Sequence, residues 1–134
     1  MAFPPNAAKL AAYRSTSVHS GVESSDPHRL VVMMMDGALE RIATARGCMT
    51  RGDTAEKARL INRAVSIIGE LRSSLDLNSG GAIALNLGEL YDYMCRRLLK
   101  ATAENRVEML DEVTKLLNEI RTAWVSIPNE ARAR

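Results

Sequence analysis

The sequence predicts an all-α fold, an antiparallel four-helix up-and-down bundle behind a short N-terminal cap helix or arm. Three observations carry this expectation. Apolar residues recur at alternating spacings of four and three along four separate stretches, the period of one buried helix face. Capping and breaking residues punctuate the chain between those stretches. Aromatics make up only 4% of residues, while the strong helix formers Ala, Leu, Glu and Arg abound.

The first helix is expected to begin at Ser24-Ser25-Asp26-Pro27. Asp26 can accept from the free amides of the first turn, and the fixed φ of Pro27 suits the first helical position. Its stripe is Val31, Met35, Ala38, Ile42, Ala45 and Met49, and Arg51-Gly52 ends it. Asp53, with Glu56 three residues on, forms a capping-box pattern for the second helix, whose stripe is Ile61, Ala64, Ile68, Leu71 and Leu75. Asn78-Ser79-Gly80-Gly81 is the clearest break, because adjacent glycines are costly inside a helix. Leu87, Tyr91, Met94, Leu98 and Ala101 mark the third helix, which stops around Thr102 to Glu104. Asn105 with Glu108 reads as another capping box, and Leu110, Val113, Leu117, Ile120, Trp124 and Ile127 mark the fourth, which Pro128 ends. The strict four-three spacing favours shallow crossings and, with short turns, up-down-up-down packing. The expected organisation is an arm over residues 1–23, the bundle over 24–128 and a tail over 129–134.

At 134 residues the chain can bury a core without disulfides or metal. Eighteen Lys and Arg face 16 Asp and Glu, scattered as singles or pairs, so no phosphate-binding stripe is indicated and no nucleic-acid partner is expected. Cys48 and Cys95 lie far apart in helix-like stretches, which fits reduced thiols and a cytoplasmic setting. The longest apolar run is six residues, so neither membrane insertion nor a secretory signal is expected.

No catalytic pattern and no cofactor or metal site is expected. His19 and His28 are the only histidines and neither lies on a stripe, so the inward Glu and Glu-x-x-His pairs of a metal-binding bundle are missing. Haem attachment, paired-Cys zinc and Gly-rich phosphate motifs are absent too. Arg14 and His19 have a spacing that some helical nucleases use, which gives one alternative function. They lie in the arm beside serines that interrupt a helix, and reading them as two solvent-facing polar residues is preferred.

The stretch Leu30-Val31-Val32-Met33-Met34-Met35-Asp36-Gly37 is more apolar than one buried face requires. With Val31 as the zero of a helical wheel, Met35 stays within about 40°, whereas Val32 lies near 100° and Met33 near 160°. Met33 is thus expected to face water. Leu60 and Ile67 fall along the edge of the second helix, and Leu85, Leu99 and Leu116 are also displaced from their stripes. Such a surplus implies a groove with an apolar occupant: the arm, through Leu10, Tyr13 and Val18, or an amphipathic helix of another protein. Methionine suits such a surface because its flexible thioether adapts to different partners. A second alternative is a homodimer interface built from the same residues.

An ordered series of residues resembles the flagellin-specific export chaperones of bacterial flagella, the FliS family. It comprises Tyr13 with Ser15 to Val22, Asp26-Pro27-His28-Arg29-Leu30, Asp36-Gly37-Ala38-Leu39, Ile67-Ile68 with Leu71 and Ser74-Leu75-Asp76, Gly80-Gly81 with Ile83-Ala84 and Asn86-Leu87, Leu90-Tyr91 with Tyr93-Met94, and Leu116-Leu117 with Ile120-Arg121 and Trp124. The sequence departs from the family's pattern at Met34-Met35, where a Leu and an aromatic are usual. The resemblance implies a non-enzymatic, cytoplasmic bundle that holds the disordered C-terminal segment of flagellin, prevents its premature polymerisation and degradation, and while client-bound meets the flagellar export gate. It also implies that the client displaces the N-terminal cap. The candidate partner-binding residues are Leu10, Tyr13 and Val18 in the arm, and Val32, Met33, Asp36, Ile67, Leu90 and Tyr93 near the groove.

Overall fold

The computed structural model describes residues 26–128. The arm, with Leu10, Tyr13, Val18, Arg14 and His19, and the tail lie outside the described residues. Four helices follow in order, α1 Pro27–Arg51, α2 Thr54–Ser73, α3 Leu77–Glu104 and α4 Val107–Val125, and no strand occurs among the described residues. α1 packs on α2 and α4, and α3 packs on the same two helices. Neighbours in sequence are therefore neighbours around the ring, and the short connections make each helix antiparallel to the next, as the stripes predict.

The caps show which local signals were sufficient. The Asp26 carboxylate accepts from the Arg29 N–H at 3.2 Å, Pro27 sits in the first turn, and Gly52 ends α1 in the left-handed conformation (φ 78°). At α2 only half of the expected box forms. Asp53 accepts from the Glu56 N–H at 3.4 Å, but the Glu56 carboxylate is held by Arg59 at 2.6 and 2.9 Å. The Asp53 N–H goes instead to the Cys48 carbonyl at 2.9 Å.

The Asn78–Gly81 break proves to be a kink within α3. Asp76 caps a first turn by accepting from the Asn78 and Ser79 amides, both at 3.1 Å, and Gly81 then takes φ 56°, ψ −133° before the main helix resumes. Gly80 permits the tight approach, since a Cβ there would lie 2.5 Å from the Ala84 Cβ. The Gly81 conformation is one that side chains disfavour strongly, so Gly81→Ala is expected to cost about 1–3 kcal/mol of stability. A lower urea midpoint at unchanged m-value is the measurement that checks it.

The expected Asn105–Glu108 box is a correction. Asn105 is the left-handed C-cap of α3 (φ 58°), and Arg106 takes the N-cap position of α4 without a side-chain bond. The reason lies on α2: the buried Lys57 donates from Nζ to the Thr102 carbonyl at 3.2 Å and to Asn105 Oδ1 at 3.0 Å. The ammonium thereby meets the partial negative charge at the end of α3 and fixes the asparagine there. α4 ends at Val125, short of Pro128.

The core runs through Met34, Met35, Ile42, Ile61, Ile68, Leu98 and Leu110, all under 2% exposed. On α1 the buried face is turned slightly from the expected stripe, with Leu30 and Met34 buried and Val31 half-buried. Leu60 and Ile67, expected at the edge of α2, are buried. Each helix faces two neighbours, so its apolar face is wider than a two-helix seam. At one end His28 and Trp124 join α1 to α4: the imidazole Nε2 donates to the Trp124 carbonyl at 2.6 Å, and the indole N–H donates to the His28 carbonyl at 2.9 Å. The rings stack with centroids 5.0 Å apart.

Candidate interaction surface

Among the described residues, the exposed large apolar side chains are Leu77, Ile83, Leu85, Leu99 and Val125. Four of these belong to α3. Leu85 and Leu99 are two heptads apart, which places them within about 40° of each other on the helix and about 21 Å apart along it. They share a flank with Asp92 and with the half-buried Cys95, whose thiol donates to the Val65 carbonyl at 3.7 Å. That flank faces α2. Ile83, 80% exposed, lies one heptad before the half-buried Leu90 on the other flank, where Tyr93 and Arg97 reach α4. Apolar groups thus border α3 on both sides, beginning at the end defined by the Gly81 kink.

The predicted residues do not gather into one groove. Val32, Met33 and Asp36 are half-buried on α1, so Met33 is only partly exposed to water and less so than expected. Asp36 accepts from Arg121 Nε at 2.5 Å and Nη2 at 3.3 Å, which puts it on the α1–α4 flank. Ile67 lies in the core beside Gly37, 4% exposed. Leu90 packs against the core from its half-buried position, and Tyr93 donates its hydroxyl hydrogen to Glu112 Oε2 at 2.6 Å. Ile83 and Leu77 were not among the candidates. Ile83 is only about 60° from Leu98 on the wheel, within reach of the buried stripe, and is exposed because of where it sits along the bundle. Its position just beyond Gly80-Gly81 was the available signal.

Charges stitch α4 to its neighbours. Arg46 of α1 meets Asp111 at 2.7 Å, and Arg97 of α3 meets Glu112 at 2.8 Å. Hydrogen bonds from Tyr93 and Arg97 hold the Glu112 carboxyl below the usual glutamate range, and the Arg46 hydrogen bond does the same for Asp111. A carboxyl whose folded-state pKa is depressed contributes stability above its unfolded value, and that contribution is lost as pH falls through the folded value. The thermal midpoint is accordingly expected to drop between about pH 5 and pH 3, and Glu112→Gln with Asp111→Asn to flatten the drop in a calorimetric series. Burial pushes the Cys95 thiol up to about 11, far from a thiolate nucleophile. Cys48 is buried, and no group of His, Cys, Asp or Glu suited to a metal ion occurs among the described residues. No helix among them is long and apolar enough to cross a membrane.

The described residues thus form a charge-stitched bundle with exposed apolar side chains along α3. Comparison with known proteins agrees with the resemblance in the motif series. The model of the family described as "Flagellar protein FliS" matches residues 9–131. The chain is 45% identical over 118 residues to the flagellar secretion chaperone FliSB of Pseudomonas aeruginosa, covering 88% of this chain and 94% of that one. It is 42% identical over 126 residues to the flagellar secretion chaperone FliS of Salmonella typhimurium, covering 93% of each. With the protein of the same name from Vibrio cholerae it shares 40% identity over 121 residues, covering 90% of this chain and 89% of the relative.

Proposed function

The chain belongs to the flagellar protein FliS family, and from that membership we propose that it is an export chaperone that holds flagellin before secretion. The segment held is the disordered C-terminal part of flagellin, kept from polymerising and from proteolysis until the complex reaches the export gate. The protein acts by binding in the bacterial cytosol, without catalysis. The observation that supports this reading best is the apolar border of α3, with Leu77, Ile83, Leu85 and Leu99 all about half or more exposed. A disordered client loses conformational entropy when it binds, and a long apolar track offsets that loss. Such a track suits a client that wraps the bundle and meets several small apolar stations in turn.

The arm, through Leu10, Tyr13 and Val18, competes with the client for this surface in the proposal, and Val32, Met33, Asp36, Leu90 and Tyr93 extend the contact onto neighbouring flanks. Competition of this kind lowers apparent affinity by the fraction of molecules with the surface covered. Isothermal titration with a flagellin C-terminal peptide tests it. Full-length protein is expected to bind, and a variant lacking residues 1–18 is expected to stay folded and bind equally or more tightly. Absence of binding by both would overturn the chaperone reading.

A further inference from the structure

The charges of the bundle divide unevenly between its halves. α1 and α2 together carry eight Lys and Arg against four Asp and Glu, whereas α3 and α4 carry five against seven. The basic half contains a cleft of about 230 Å3 between α1 and α2, lined by Glu40, Arg41, Thr44, Arg59, Leu60 and Arg63. Its three guanidinium groups are not equally satisfied. Arg59 is neutralised by Glu56 at 2.6 Å. Arg41 donates to the Gly37 carbonyl at 2.9 Å, and no carboxylate of the described residues pairs with it or with Arg63. The nearly buried Leu60 gives the cleft an apolar element.

We infer that this α1–α2 face docks an acidic protein segment whose carboxylates pair with Arg41 and Arg63. Guanidinium forks match carboxylates bidentately, and a rim cation with no partner of its own gains most from one supplied by another molecule. The carboxylates of Glu40 and Glu56 interrupt the basic surface, which disfavours a continuous polyphosphate and suits side-chain carboxylates spaced along a peptide. Arg41 and Arg63 lie on α1 and α2, whereas the exposed border residues Leu77, Ile83, Leu85 and Leu99 lie on α3, so the acidic contact and the apolar contact are made by different side chains. The inference stands on the charge division and the cleft, independently of what the α3 border holds.

The test uses the full chain and a fluorescently labelled peptide of repeated Glu-Ala-Ala, followed by anisotropy at low salt. Unlabelled oligo-uridine, phosphatidylglycerol vesicles and inorganic phosphate serve as competitors. Saturable binding is expected, weakened at least tenfold by Arg63→Glu and less by Arg63→Ala, with titration of the flagellin peptide unchanged in both variants. Arg63 is exposed, so both variants are expected to fold, and circular dichroism checks this. The inference is overturned by no peptide binding, by binding that Arg63→Glu leaves unchanged, or by tighter binding of the RNA or the vesicles than of the peptide. Self-association that disappears in Arg63→Glu would assign the face to a second copy of the chain and would also overturn it.

Discussion

Replacing Ile83 and Leu85 together by aspartate is expected to weaken binding of the flagellin C-terminal peptide by about 100-fold, at almost unchanged stability. Complete burial of an aliphatic side chain contributes about 1.5–3 kcal/mol, so losing two of them amounts to roughly 3 kcal/mol or more. Every 1.4 kcal/mol or so is a factor of ten in affinity. Aspartate adds the cost of burying a carboxylate against an apolar client. Stability should hold because Ile83 is 80% and Leu85 55% exposed, so neither contributes much to the core. The two lie on different flanks of α3, and the single variants therefore ask which groove the client uses. A titration in which the double variant binds like the wild type would remove Ile83 and Leu85 from the client surface, whatever the arm does.

How far the sequence could be read depends on the distance over which each feature is determined. Asp26, Pro27 and Gly52 act within one turn of their own helix, and their roles were legible. The four apolar stripes were legible for the same reason, since periodicity is a property of a single helix. Asn105 was misread because its partner, Lys57, is 48 positions away and no local pattern points to it. Ile67 was placed at an edge because a wheel shows one helix, whereas burial in a four-helix ring is set by two neighbours. The same limit affected the site. Asp36 and Tyr93 were picked out individually, but their partners Arg121 and Glu112, and hence their flanks, are features of the assembled bundle. Ile83 was missed because its exposure depends on its place along the bundle and on a kink, which periodicity does not encode.

The six apolar residues before Asp36 offer the sharpest separation of core from surface, through neighbouring methionines. Met35 is fully buried, and Met35→Ala is expected to lower stability by about 2–5 kcal/mol, the lost transfer energy plus the cavity left behind. Met33 is half-buried, and Met33→Ala is expected to cost less than about 1 kcal/mol. Urea denaturation measures both. Affinity for the flagellin peptide should move in the opposite sense when titrated at a temperature where both variants are fully folded. Met33→Ala would then weaken binding several-fold, because a flexible thioether at the surface adapts to the client. Met35→Ala would leave it within about twofold, since its side chain meets only the bundle interior. Equal losses of stability would place Met33 in the core with its neighbours, and the excess of apolar residues in this stretch would then serve packing alone.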